Sequence, residues 1–371
     1  MDDLLRDIDA VLLMGPGPSC VPPQVYEALA RPTIGHMDPA FIGIMDRIKV
    51  MLQELMRTTN PVTLPMSGTG SAGMETCFAN LVEPGDRVLI LVNGVFGQRM
   101  ADVAARLGGQ VETLEFDWGT PVDPGAVEEH LASGDRRALV AVVHAETSTG
   151  VRNPVEHLAP LVRAHGALYL VDAVTSLGGA PVDVDAWAVD ALYSGTQKCL
   201  SVPPGLAPVT LSARAVDKLR GRSSKVSSWY LDLNMITQYW EGASRVYHHT
   251  APVNMLYGLY AGLQLILDEG LDKVHARHTA AHARLVAGLE QLGLEMLVEP
   301  DFRLPMLNAV RVPANVDEAA VRRRLLQHHR IEIGAGLGPL AGQIWRIGLM
   351  GHTARAENVD RFLTALQDSL P

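Results

Sequence analysis

From about residue 60 to residue 212, short apolar runs alternate with helix-like stretches, and this rhythm leaves few folds open to the chain. The strand-like runs are Arg87 to Val92, Leu139 to His144, Leu168 to Val174, Ala191 to Ser194 and Ala207 to Leu211. Between them lie amphipathic segments such as Gly97 to Leu107 and Pro154 to His165, the second stopped by Gly166. Strands that are apolar throughout are buried on both faces, which requires helices above and below a mainly parallel sheet. Sheets of this kind bind ligands at the carboxyl ends of their strands.

Flanking segments complete the plan. Phe41, Ile44, Met45, Ile48, Met51, Leu52 and Leu55 recur at helical spacing and predict a core or subunit-interface helix. Downstream, a long helical pattern from about Asp272 to Leu292 opens a second unit. It is followed by a strand over Asn308 to Val312, a helix near Glu318 to His328, and strands around Arg330 to Ile333 and Ile344 to Ile347. The expected division is an N-terminal arm over 1–14, a large domain over 15–268 and a smaller α/β domain over 269–371.

Composition removes several function classes. A net charge of −10 argues against a nucleic-acid surface, and no apolar run approaches membrane-spanning length. The acidic start, Met1-Asp2-Asp3, lacks the layout of a secretory signal, and three cysteines cannot build a disulfide framework. A reducing cytoplasm is the expected location. His275, His278 and His282 share a helical spacing but have no H-E-x-x-H acid, so a solvated helix face is expected rather than a metal site.

Chemistry enters with two residues. Asp172 closes the run Leu168-Tyr169-Leu170-Val171-Asp172, and Lys198 ends Tyr193-Ser194-Gly195-Thr196-Gln197-Lys198, twenty-six positions later. An acid and an amine at the ends of adjacent strands can hold opposite ends of one small aromatic cofactor. Pyridoxal phosphate needs that pair, an amine for a Schiff base and an acid to keep the ring nitrogen protonated. Upstream, Ser67-Gly68-Thr69-Gly70-Ser71 leads into a helix over about Ala72 to Leu81, where small residues and a helix N-terminus suit a phosphate. Gly68-x-Gly70-x-x-Gly73 also matches a dinucleotide fingerprint, but the next strand ends in Asn93-Gly94 where an acid is required.

These segments, with Asn93-Gly94-Val95-Phe96-Gly97-Gln98-Arg99, His144-Ala145-Glu146-Thr147-Ser148-Thr149-Gly150 and Val171 to Ser176, resemble the class V aminotransferases. Within that group the chain is similar to the alanine/serine–glyoxylate aminotransferases, from Gly15-Pro16-Gly17-Pro18 to Arg346-Ile347-Gly348. The resemblance implies a fold type I pyridoxal-phosphate transferase and a homodimer with shared active sites. It assigns Lys198 as the Schiff-base lysine and Asp172 as the partner of the pyridine nitrogen. Phe96 takes the place of a tryptophan usual at the ring-stacking position. Thr69, Gly70, Ser71 and Gln197 fall at the phosphate, and Thr147 near the ring oxygen. Tyr247 and Thr250 match a segment that crosses to the neighbouring subunit's phosphate site, although Tyr247-His248-His249-Thr250 alone reads equally well as a polar loop. Arg346 matches the clamp for the substrate carboxylate, and Gly17 lies in a wall of the substrate space.

The implied reaction moves the amino group of L-alanine or L-serine to glyoxylate, giving glycine. With no second cation assigned to the pocket, dicarboxylate substrates are disfavoured. Ureidoglycine is an alternative donor, and a cysteine desulfurase-like activity would need a mobile thiol. Cys199 is expected to be held in the turn, with Cys20 and Cys77 structural.

Overall fold

The computed structural model describes residues 8–371 apart from Ala243, so residues 1–7 of the expected arm lie outside it. A seven-stranded sheet runs in the order Val62–Ser67, Leu206–Leu211, Ala191–Tyr193, Leu168–Asp172, Leu139–Val143, Arg87–Val92, Gln110–Glu115. The last five strands are mutually parallel. Leu206–Leu211 is antiparallel to both of its neighbours. Every residue of Leu139–Val143, Leu168–Asp172 and Leu206–Leu211 is buried, as helices on both faces demand.

The helix Pro39–Met56 starts where the Asp38 carboxylate accepts the Ala40 amide and Pro39 occupies the first turn. It ends at Arg57 in the left-handed conformation, and its Phe41, Met45, Ile48 and Leu52 face enters the main core. The helix Gly70–Leu81 lies close over the sheet because Gly73 has no side chain. A Cβ there would come within 2.9 Å of the Ala207 Cβ.

A second core gathers Val321, Leu325, Trp345, Ile347, Phe362 and Leu366 with Leu12 and Met14 from the start of the chain. Leu12–Leu13 pairs in parallel with Ile331–Glu332. A three-stranded antiparallel sheet, ordered Leu307–Arg311, Ile344–Gly348, Gly334–Ala335, supports this part.

The histidine face on Leu271–Gln291 is not the solvated one that the spacing predicts. His278 is fully buried: its Nδ1 lies 2.7 Å from the Val274 carbonyl, and its Nε2 accepts the Gly351 amide at 2.9 Å. His282 is half-buried against Asn308 Oδ1 at 2.6 Å. Among the described residues no group of histidines, cysteines and acids could hold a metal ion, and no helix is long and apolar enough to cross a membrane.

Candidate active site

Thr69, Gly70, Ser71, Phe96, Thr147, Asp172, Gln197 and Lys198 line one cavity of about 230 Å³ at the carboxyl ends of the parallel strands. That volume suits a single substituted ring better than a dinucleotide. Met74, Arg99, Val143, Val174 and Tyr193 complete the wall.

Asp172 is the last residue of its strand, and its carboxylate is fixed at both oxygens. Oδ1 accepts the Val174 amide at 2.8 Å, and Oδ2 accepts the Tyr193 hydroxyl at 2.6 Å. Burial raises its pKa to about 6; Tyr193 and Val174, then Lys198 and Arg99, pull against that rise. Lys198 is 9% exposed, and burial together with the Arg346 charge brings its amine down to about 8. Its Nζ donates to the Pro16 carbonyl. Gly17 is at φ +107, and a Cβ there would sit 2.6 Å from Nζ, so the Gly15-Pro16-Gly17 turn lies directly against the amine.

The helix Gly70–Leu81 points its N-terminus at the cavity, with Thr69 as N-cap and no side-chain bond across the cap. Its first amides therefore have no partners within the helix. A Cβ on Gly70 would meet Val174 at 3.3 Å, so the backbone stays open at that point. The Gln197 Oε1 is buried without a hydrogen-bond partner. Phe96 stands in the first turn of Val95–Arg106, with the Arg99 guanidinium carbon 5.0 Å from its ring centroid.

Thr147 bonds through Oγ1 to Thr175 Oγ1 at 2.6 Å, and its carbonyl accepts Arg346 Nη1 at 3.2 Å. Arg346 is 6% exposed, held also by Nε to the Ala335 carbonyl at 2.7 Å. Burial lowers its pKa to about 10, with Glu146 acting in the opposite direction. It is still a cation at neutral pH. Tyr247 and Thr250 lie outside the cavity lining of their own chain; Tyr247 is 58% exposed.

Three nearby groups were given no role by the sequence. Arg99 lines the cavity, so the argument against dicarboxylates from the lack of a second cation does not stand. Tyr193 reaches Asp172 because strand register sets the two opposite each other. Glu146 is fully buried, with Oε1 accepting the Ser148 amide and hydroxyl at 3.0 and 2.5 Å and Oε2 unpartnered. Burial pushes its carboxyl up to about 7. The buried acids in this strand-end motif have no spacing signature; only the fold brings them to one place. Cys199 is inert by contrast: buried, donating to the Thr175 carbonyl at 3.3 Å, its thiol pushed up to about 12 by burial.

Sheet order and strand-end cavity together define a fold type I pyridoxal-phosphate enzyme. The residues present fit that cofactor: a buried acid, an amine with lowered basicity and an open helix N-terminus all face one space. The family profile described as aminotransferase class-V matches residues 13–362. An alanine–glyoxylate aminotransferase of Oryctolagus cuniculus is 41% identical over 97% of this chain and 92% of its own. The (S)-ureidoglycine–glyoxylate transaminase of Bacillus subtilis is 39% identical over 96% of this chain and 89% of its own. The crystal structure of an alanine–glyoxylate aminotransferase from Nostoc sp. superposes with a TM-score of 0.96 at 47% identity, covering 100% of this chain and 99% of that one. The chain belongs to the class-V aminotransferase family and is an aminotransferase that uses pyridoxal phosphate.

Proposed function

We propose that this enzyme transfers the amino group of L-alanine or L-serine to glyoxylate, giving glycine and pyruvate or hydroxypyruvate. The observation that carries the reading is the convergence of Lys198, Asp172 and the N-terminus of Gly70–Leu81 on one cavity beside Arg346. Relatives named for glyoxylate as acceptor support the choice of substrates. The same relatives keep ureidoglycine open as the donor.

Pyridoxal phosphate, when bound, supplies an aldehyde for the amine and a ring that withdraws electrons from the substrate Cα. Lys198, with its amine at about 8, has a neutral fraction near neutral pH and would be the nitrogen that holds the aldehyde. The same Nζ would take and return the proton at the substrate Cα. Asp172 would accept the ring N–H and keep the positive charge there. Thr69, Gly70, Ser71 and Gln197 would hold the phosphate with the helix N-terminus. Phe96 would stack on the ring, and Thr147 would help to orient it. Arg346 would clamp the substrate carboxylate, and Gly17 would wall the substrate space beside the Lys198 amine.

We further infer a homodimer in the cytoplasm. Tyr247 and Thr250 have no place in their own cavity, and Trp229, Val246 and Tyr247 are all more than half exposed. A second copy of the chain would cover that surface and receive Tyr247 and Thr250 at its phosphate. Cys20, Cys77 and Cys199 are all free thiols, in keeping with a reducing compartment.

Borohydride reduction of the holoprotein followed by peptide mapping is expected to place the adduct on Lys198, and Lys198→Ala to lose the visible absorbance. L-Alanine should bleach the cofactor band and glyoxylate restore it. Rapid turnover of glutamate with inertness toward glyoxylate would overturn the substrate assignment.

A further inference from the structure

Tyr193 is buried completely, in the strand next to that of Asp172, and register sets the two residues directly opposite each other. Its hydroxyl donates to Asp172 Oδ2 at 2.6 Å, the length of a charge-assisted O–H···O⁻ bond. The opposite oxygen takes the Val174 amide at 2.8 Å, so the carboxylate has no freedom to turn.

We propose that Tyr193 is a positioning residue for this chemistry: its O–H holds Asp172 ionised and in one orientation, so the acid stays a fixed anion for the ring nitrogen. The inference rests on the proposed role of Asp172. An oxygen with two lone pairs can accept both the phenol and a ring N–H, so the two donors do not exclude each other.

The physical need is plain from the surroundings. Burial favours the neutral acid and raises Asp172 to about 6. Of the groups that work against burial, the Tyr193 hydrogen bond is the foremost, ahead of the Val174 amide and the Lys198 and Arg99 charges. Glu146 and Cys77 also face this acid, and a carboxylate at Glu146 would disfavour its ionisation. Tyr193 itself does not titrate in the working range, since burial and the Asp172 charge raise its pKa well above 10.0. It remains a donor throughout. Without it, the acid would keep its own proton and the ring nitrogen would lose its counter-ion.

The test compares wild-type holoprotein with Tyr193→Phe, using cofactor labelled with 15N in the ring and following the nitrogen shift from pH 5 to 9. Tyr193→Phe is expected to lower the midpoint of ring deprotonation by about one unit, to weaken cofactor binding to the apoprotein about tenfold, and to reduce kcat with KM for L-alanine unchanged. In an Asp172→Asn background the same substitution should leave the ring titration unmoved, which a merely structural tyrosine would not predict. Should Tyr193→Phe fail to fold, 3-fluorotyrosine placed at 193 decides the matter. Its more acidic phenol should move the midpoint upward. An unchanged midpoint with unchanged cofactor affinity in the folded variant, or with fluorotyrosine, overturns the inference. If the wild-type protein binds no cofactor at all, the parent reading fails instead.

Discussion

Gly348 donates its amide to the Met14 carbonyl at 2.7 Å, and a Cβ on Gly348 would stand 1.9 Å from the Gly15 carbonyl oxygen. The strand that carries Arg346 is thereby stitched to the turn that faces Lys198. Arg346 and Lys198, the residues proposed to hold the substrate carboxylate and the cofactor, are set against each other through this backbone contact. Gly348→Ala forces the two segments apart. It should cost about 2 kcal/mol of stability, in the range for overpacking a closed site. It should also lower kcat by more than it weakens cofactor binding, because Pro16 and Gly17 move away from Nζ. Thermal melts and cofactor titration of the apoprotein check this. An alanine variant with unaltered melting and turnover would contradict the contact.

Arg346 uses Nε and Nη1 on the Ala335 and Thr147 carbonyls, which fixes the plane of its guanidinium. The remaining donors are free to face a carboxylate. Arg346→Lys keeps the charge but has one nitrogen for all of these partners. The expected result is a rise in KM for L-alanine of about thirtyfold, corresponding to roughly 2 kcal/mol of lost paired hydrogen bonding. Cofactor absorbance should be unaffected. Equal loss in cofactor affinity would place Arg346 on the cofactor rather than on the substrate.

Much of the fold was legible because buried parallel strands leave a plain mark. Leu139–Val143 and Leu168–Asp172 read as unbroken apolar runs and are buried along their whole length. Strand direction left no such mark: Leu206–Leu211 is equally buried and runs antiparallel to its neighbours. Lys198 and Asp172 stood out because an acid and an amine end two neighbouring apolar runs, the pair that one small aromatic cofactor needs. Tyr193 and Arg99 lay within motifs already singled out, yet their partners depend on register and helix placement. The error at His278 has the same origin. Helical spacing tells which side chains share a face, but not that the segment around Gly351 covers it.

That covered histidine gives the protein an acid-sensitive joint. His278 holds the helix Leu271–Gln291 to the Gly351 turn, next to Cys199, whose carbonyl lies 2.5 Å from where a Gly351 Cβ would be. With the proton on Nδ1 toward Val274, Nε2 is free to accept the Gly351 amide, an arrangement only the neutral ring allows. Burial, with help from the Arg277 and His275 charges and against the Val274 hydrogen bond, lowers its pKa from 6.5 to about 4. The folded state therefore binds this proton less tightly than the unfolded chain. Stability from His278 is complete above pH 6.5 and is lost as the pH falls toward 4, up to about 3 kcal/mol in all. His278→Gln should be less stable than wild type at pH 7.5, and the gap should narrow steadily at pH 6 and pH 5. Urea midpoints at those three values measure it. A gap that stays constant with pH would mean that the ring's contribution is packing alone.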